Sequence, residues 1–144
     1  MTEATAELAI SLLLATARRL PEAINAAKNG DWATWAPYWM CGKSLNDSTI
    51  GIYGMGTIGR SIVEKLLPFK PKRILYTNRS ASKEARAECI YVQFDELLRE
   101  SDFLIVSARS TAENYRIFDK KAFAKMKNDA ILVNVARWVG VSHR

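Results

Sequence analysis

Cysteine is nearly missing from this chain. Two occur in 144 residues, Cys41 and Cys89, and neither sits in a C-x-x-C spacing. A disulfide framework is therefore excluded, and a reducing, cytoplasmic compartment is the default expectation. Long apolar runs are missing too. The longest, residues 8–17, already contains Ser11 and Thr16 and falls short of a membrane span, so no membrane partner is expected. The N-terminus carries Glu3 and Glu7 where a secretory signal would be basic. Histidine occurs once, as His143, and no metal site is expected.

What is there is ordinary in bulk. Hydrophobic residues make up 49% and charged residues 25%, in a length that suits one domain with a sizeable core. The net charge of +6 is unevenly placed. Acids and bases nearly balance as far as Ile50, and the basic surplus lies from Gly51 onward. That half would suit an anionic ligand. Nucleic acid competes for such charge, but acids are scattered among the bases and no aromatic ladder interleaves them. No nucleic-acid partner is expected.

The chain is organised around residues 49–67. A short apolar run, Ile50-Gly51-Ile52-Tyr53, enters Gly54-Met55-Gly56-Thr57-Ile58-Gly59, and residues 60–67 read as a helix. Strand, glycine turn and helix in that order are the context a dinucleotide-binding fingerprint requires. Gly54 would permit the tight turn, Gly56 the approach of backbone to a pyrophosphate, and Gly59 close packing of helix on strand. The diphosphate would rest on unpaired N–H groups at the helix start. A glycine turn inside any α/β unit is the plainer alternative.

Ahead of it, residues 2–27 read as a strong helical stretch, capped by Thr2, with Glu3 and Glu7 favouring its first turns. Leu8, Leu12, Ala15 and Arg19 share one face, and Leu13, Leu14, Ala17 and Leu20 widen the apolar side. Pro21 should break or kink it, leaving residues 22–28 as a second piece that ends at Asn29-Gly30. So broad a side fits burial against another domain or subunit, or an ordinary helix covering the sheet. Residues 31–46 form a loop rich in Trp32, Trp35, Tyr38, Trp39 and Met40, expected to pack on the domain or fill an interface.

Beyond the fingerprint, residues 68–71 make a stiff turn and residues 73–77 read as the second strand. Sites for the unphosphorylated dinucleotide place Asp or Glu at the end of this strand, on the ribose hydroxyls. Here Thr77-Asn78-Arg79-Ser80 stands instead, with no acid before Glu84. Arg79 suits a 2′-phosphate, and Thr77, Asn78 and Ser80 can donate hydrogen bonds. A solvated basic turn is the alternative. Residues 82–87 then read as a short helix, 89–92 as a strand and 94–99 as a helix. Residues 103–106 follow as a strand buried on both faces, 119–126 as a helix and 130–133 as a fifth strand. The expected fold is α/β, a Rossmann-type doubly wound parallel sheet preceded by a long N-terminal helix.

In such a sheet the crevice lies at the carboxyl ends of the strands, here the loops 54–59, 107–111 and 134–137. Ser107, Arg109, Ser110 and Thr111 offer donors near the nicotinamide side. The last strand runs out through Val135, which is placed with the cofactor contacts. Arg137 can clamp a carboxylate through two parallel bonds, or be a surface arginine.

Four ordered motifs carry a resemblance: Thr2-Glu-Ala-Thr-Ala-Glu-Leu-Ala, Gly51-Ile-Tyr-Gly-Met-Gly-Thr-Ile-Gly, Tyr76-Thr-Asn-Arg and Asn134-Val-Ala-Arg. Together they resemble the D-isomer-specific 2-hydroxyacid dehydrogenases, most nearly the glyoxylate/hydroxypyruvate reductase branch of animals. The resemblance covers about residues 2–137. It implies a nucleotide-binding domain at 47–137 set into a discontinuous substrate domain of a homodimeric cytoplasmic enzyme. Residues 1–46 then fall at dimer and interdomain contacts, and 138–144 form a divergent tail. It further implies that Gly54, Gly56 and Gly59, with Met55, Thr57 and Ile58 between them, hold the pyrophosphate. Arg79 and Ser80, beside Thr77 and Asn78, look like the element that prefers NADP while leaving NAD possible. Ser107 and Val135 join the cofactor contacts. Arg137 matches the family's substrate arginine, which binds the carboxylate and carbonyl of a small 2-oxo acid while hydride arrives from nicotinamide C4. Glyoxylate would yield glycolate, and hydroxypyruvate D-glycerate.

The family's proton donor is a histidine paired with a glutamate, some tens of residues past that arginine. His143 lies too near it, no acid follows Asp129, and Trp138-Val139-Gly140 departs from the family's glycine and valines. Ser110-Thr111-Ala112 likewise stands where the family has Leu-Thr-Pro, and Arg109 either binds substrate or marks relaxed constraint. The expectation is a catalytically incomplete portion of such a reductase, with its sheet incomplete at the C-terminal end. The alternatives are a non-catalytic dinucleotide-binding or dimerisation module, or a structural remnant.

Overall fold

Five short strands form the centre of the structure, a computed structural model that describes residues 1–32 and 34–136. They are β1 (Thr49–Tyr53), β2 (Arg73–Thr77), β3 (Cys89–Tyr91), β4 (Phe103–Val106) and β5 (Ile131–Asn134). All pair in parallel, in the order β3-β2-β1-β4-β5, with Ile52 opposite both Tyr76 and Ile105. The chain therefore runs outward from β1 on one side, then crosses back to build the other. That reversal puts the carboxyl ends of β1 and β4 at a topological switch point.

Alternation along the strands divides the core. Ile50, Ile52, Ile74, Phe103 and Ile105 face one layer, formed by α1 (Thr2–Ala17) and α3 (Thr57–Leu66). Tyr53, Leu75, Leu104 and Val106 face the other, formed by α4 (Phe94–Glu100) and α5 (Lys120–Lys125). Both faces being covered explains why β4 is apolar throughout. Among the described residues no helix is long and apolar enough to cross a membrane.

The N-terminal helices differ from expectation in three ways. Thr2 is the first helical residue and Met1 the N-cap, so Thr2 caps nothing. The break comes at Arg18-Arg19, with Arg19 in the left-handed region at φ 55°. Pro21 lies in the first turn of α2 (Leu20–Asn29), where its missing N–H costs nothing, so it starts a helix instead of ending one. Gly30, at φ 75°, closes α2 as expected. The buried face of α1 is Ala6, Ala9, Leu13 and Ala17, while Leu8 and Leu12 remain exposed. Small alanines let α1 lie close on α3, where Glu3 also bonds Ser61 (2.8 Å) and Lys65 (2.5 Å). In the aromatic loop, Trp32 meets Trp39 edge-on, but Trp35 and Tyr38 are 87% and 88% exposed. They do not pack on the domain.

Residues 82–87 form turns and no helix. The Ser82 N–H donates to the Tyr76 hydroxyl (3.0 Å), and the Ser82 hydroxyl accepts the Glu84 N–H (3.3 Å). Such local bonds offer the backbone an alternative to helix.

At the opposite end of the sheet, Asp102 ties β1 to the turn before β5. Its carboxylate accepts the Thr49 N–H (2.8 Å) and the Lys127 ammonium (2.8 Å). Partial burial pushes the Asp102 carboxyl up, but these two bonds, together with the positive charges of Lys127 and Lys43, outweigh it and hold the group below the ordinary aspartate value. A lowered folded pKa gives stability that is present above the unfolded value and lost as pH falls through the folded one. Asp102→Ala is accordingly expected to cost about 1–3 kcal/mol at neutral pH. The gap from wild type should narrow below about pH 3.9. Urea unfolding at both pH values measures it; a gap that does not change with pH would refute the charge-based account.

Candidate dinucleotide site

At the end of β1 the chain turns through Gly54, whose φ of +103° few side chains tolerate. Gly56 then serves as the N-cap of α3. Three loops are knotted together here. The Gly54 N–H donates to the Thr77 carbonyl (3.0 Å), and the Met55 N–H donates to Asn78 Oδ1 (2.7 Å). The Ser107 hydroxyl donates to the Gly54 carbonyl (2.8 Å). A Cβ on Gly59 would strike that same carbonyl, so α3 can sit this close to the turn only with glycine there. A Cβ on Gly56 would meet nothing within 4 Å. No side chain caps α3, so its first-turn N–H groups, at the positive end of the helix, lack side-chain partners.

These loops line a cavity of about 930 Å³, a size that suits a cofactor. Of the residues expected from sequence, Gly54, Met55, Gly56, Thr57, Ile58, Thr77, Asn78, Arg79, Ser80 and Ser107 all contribute to its wall. Gly59 lies behind the wall, in its packing role. Val135 is not brought to the cavity: its N–H continues the ladder to the Val106 carbonyl (3.0 Å) and its side chain packs on the α1 side of the core. Arg137 lies outside the described residues. Met55 is 3% exposed and part of the core, so its backbone is what it offers to the site.

Other wall residues carried no readable signal. Thr2, at the start of α1, reaches the cavity, as do Tyr53 and Phe94. Burial pushes the Tyr53 phenol above its ordinary value, and a hydrogen bond with Asn114 works against this without cancelling it. Asn114 also locks the loop after β4, accepting the Thr111 N–H (2.7 Å) and donating to the Arg109 carbonyl (2.7 Å). A Thr-x-x-Asn cap was legible in principle, as a variant of the capping box. Glu113 was not. It pairs with Arg79 at 2.8 Å from a distant stretch of sequence.

The residues present fit a diphosphate-bearing ligand. Gly56 leaves an open cradle over an uncapped helix start, and Arg79 and Arg109 add positive charge to the wall. A parallel sheet whose switch point opens on such a cradle defines the class: a doubly wound dinucleotide-binding domain. Comparison with known proteins narrows the class to one family. Residues 10–142 match the family model described as "D-isomer specific 2-hydroxyacid dehydrogenase, NAD binding domain". The chain belongs to the D-isomer specific 2-hydroxyacid dehydrogenase family, and its cofactor class is a nicotinamide dinucleotide.

The mouse glyoxylate reductase/hydroxypyruvate reductase is 49% identical over 139 residues, covering 95% of this chain and 42% of the mouse protein. The chain thus spans less than half the length of this relative. Among solved structures, the apo D-lactate dehydrogenase of Escherichia coli superposes with a TM-score of 0.87 at 29% identity, covering 99% of this chain and 44% of the other. A glyoxylate reductase from Paecilomyes thermophila gives 0.84 at 34% identity, covering 96% and 42%.

Proposed function

We propose that this chain supplies the NADP-binding part of a reductase for small 2-oxo acids, glyoxylate or hydroxypyruvate. The observation that carries the cofactor choice is Arg79. It stands at the end of β2, on the wall of the same cavity as Gly56, in a loop without a carboxylate until Glu84. The 49% identity to the mouse glyoxylate reductase/hydroxypyruvate reductase supports the substrate class.

In this reading Gly54 makes the turn, its own N–H held by the Thr77 carbonyl, while the amides of Gly56, Thr57 and Ile58 bind the pyrophosphate and Gly59 keeps α3 close. Arg79 pairs with the 2′-phosphate and Ser80 completes the adenosine end; Thr77, expected as a donor, is instead buried with its hydroxyl donating to the Val92 carbonyl (2.7 Å). Asn78 is a positioning residue, because its side-chain oxygen already holds the Met55 amide. Ser107 fixes the turn from the β4 side. Arg137 is assigned to the substrate end as the carboxylate clamp. The bound nicotinamide supplies the hydride that reduces the carbonyl. None of these residues is assigned as the proton donor that reduction also needs.

Leu8 and Leu12, one turn apart on α1, together with exposed Trp35 and Tyr38, favour a second copy of the chain as partner. Cys41 and Cys89 are unpaired thiols, which suits a cytoplasmic location.

Calorimetric titration with NADPH and NADH tests the cofactor reading. NADPH should bind at least about tenfold tighter, ~1.4 kcal/mol. Arg79→Ala should weaken NADPH by about that factor while changing NADH much less. Equal losses for the two cofactors would sink the assignment of Arg79.

A further inference from the structure

Arg79 already has a partner. Its Nη2 lies 2.8 Å from Glu113 Oε2, so an ion pair joins the loop after β2 to the short 3₁₀ turn Ala112–Asn114 that follows β4. Both residues belong to the wall of the dinucleotide cavity. The backbone that carries Glu113 is held in place. The turn that carries it is closed by reciprocal bonds between Thr111 and Asn114, and Asn114 also holds the Arg109 carbonyl.

The two side chains are 73% and 71% exposed, so solvent screens the pair and it separates easily. A 2′-phosphate needs the same guanidinium donors that Glu113 now holds. It would also bring close to two negative charges beside a carboxylate. An unphosphorylated ribose makes no such demand, because its neutral hydroxyls can donate to a carboxylate.

We propose that Glu113 is a specificity-determining residue that opposes the phosphorylated dinucleotide by occupying Arg79. It supplies, from the β4 side of the cavity, the carboxylate that the β2 loop lacks. Discrimination between NADP and NAD is therefore narrower than the β2 loop alone would set. This inference rests on the dinucleotide reading given above. Glu113 acts chiefly through Arg79 and is a positioning residue for it.

Titration of NADPH and NADH into wild type, Glu113→Gln, Arg79→Ala and the double variant tests this. Glutamine keeps the length of the side chain and removes the ion pair, and Glu113→Ala provides a second variant with the same readout. The ratio of the NADH to the NADPH dissociation constant should rise about threefold to tenfold on removing the Glu113 charge. In the Arg79→Ala background the same change should have less than half that effect on a logarithmic scale. A ratio unmoved by both Glu113 variants, in a chain that binds both cofactors, overturns the inference and leaves the dinucleotide reading standing. An equal rise in both backgrounds overturns the route through Arg79. Binding of neither cofactor to wild type overturns the dinucleotide reading and this inference with it.

Discussion

Gly54→Ala should abolish measurable dinucleotide binding and lower stability by about 3 kcal/mol or more. Two costs coincide at this residue. Its φ of +103° is a conformation that alanine adopts only under strain. The new Cβ would also lie 2.5 Å from the Ala108 nitrogen and 2.6 Å from its Cα. Those are backbone atoms at the end of β4, so relief requires moving the loop that holds Ser107 against the Gly54 carbonyl. Every bond of the three-loop knot runs through or beside this position. Gly56→Ala is the natural control. Its Cβ would meet no atom of the chain, and its extended backbone is open to any residue, so stability should shift by less than about 0.5 kcal/mol. Urea unfolding with cofactor titration reads both variants. Equal destabilisation of the two would show that the turn is not strained as described.

Phe118→Ala carries the other large effect, about 3–5 kcal/mol. Phe118 is fully buried, on the α4–α5 side of the sheet. Its ring stands edge-on to Tyr53 and to Phe94, each at 5.4 Å, and those two rings meet at 5.5 Å. Tyr53 and Phe94 form part of the cavity wall, so the cluster props up the site from beneath. Removing Phe118 leaves a void that neighbouring rings would fill only by tilting out of the wall. Thermal unfolding should show the loss. NADPH at a fixed concentration, one hundred times the wild-type dissociation constant, should raise stability by about 2.7 kcal/mol in wild type, and by less in the variant. An undiminished gain would mean that the wall does not depend on the cluster.

What could be read from sequence follows from how local each signal is. The strand 103–106 and the turn 54–59 were legible because an apolar run and a glycine pattern act over a few residues. The pattern over 119–126 extends one residue too far at each end, because Asp119 and Met126 are the caps of α5. The buried face of α1 was readable in part: Leu13 and Ala17 lie on it as expected, but the rest does not match. Leucines and alanines surround that helix, so periodicity alone offered Leu8 and Leu12, while contact with α3 selected the smaller Ala6 and Ala9. The helix expected at 82–87 lost to a hydroxyl of Tyr76, a residue on the preceding strand. In the site, the cradle was legible and its rim was not. Glu113 reaches Arg79 only because β4 lies beside β1 and β1 beside β2, an adjacency that no spacing rule encodes.

That adjacency also has a cost in time. Of these five strands β1 is made first and lies at the centre of the sheet, yet its neighbour β4 comes much later, as the 53-residue separation of Thr49 from Asp102 shows. At about 5–20 residues per second, roughly 3–10 s pass between the two. Throughout that interval one edge of β1 is an apolar strand without its pairing partner. The strand that organises the sheet is therefore the one most exposed to mispairing during synthesis, and nascent-chain protection would matter most there.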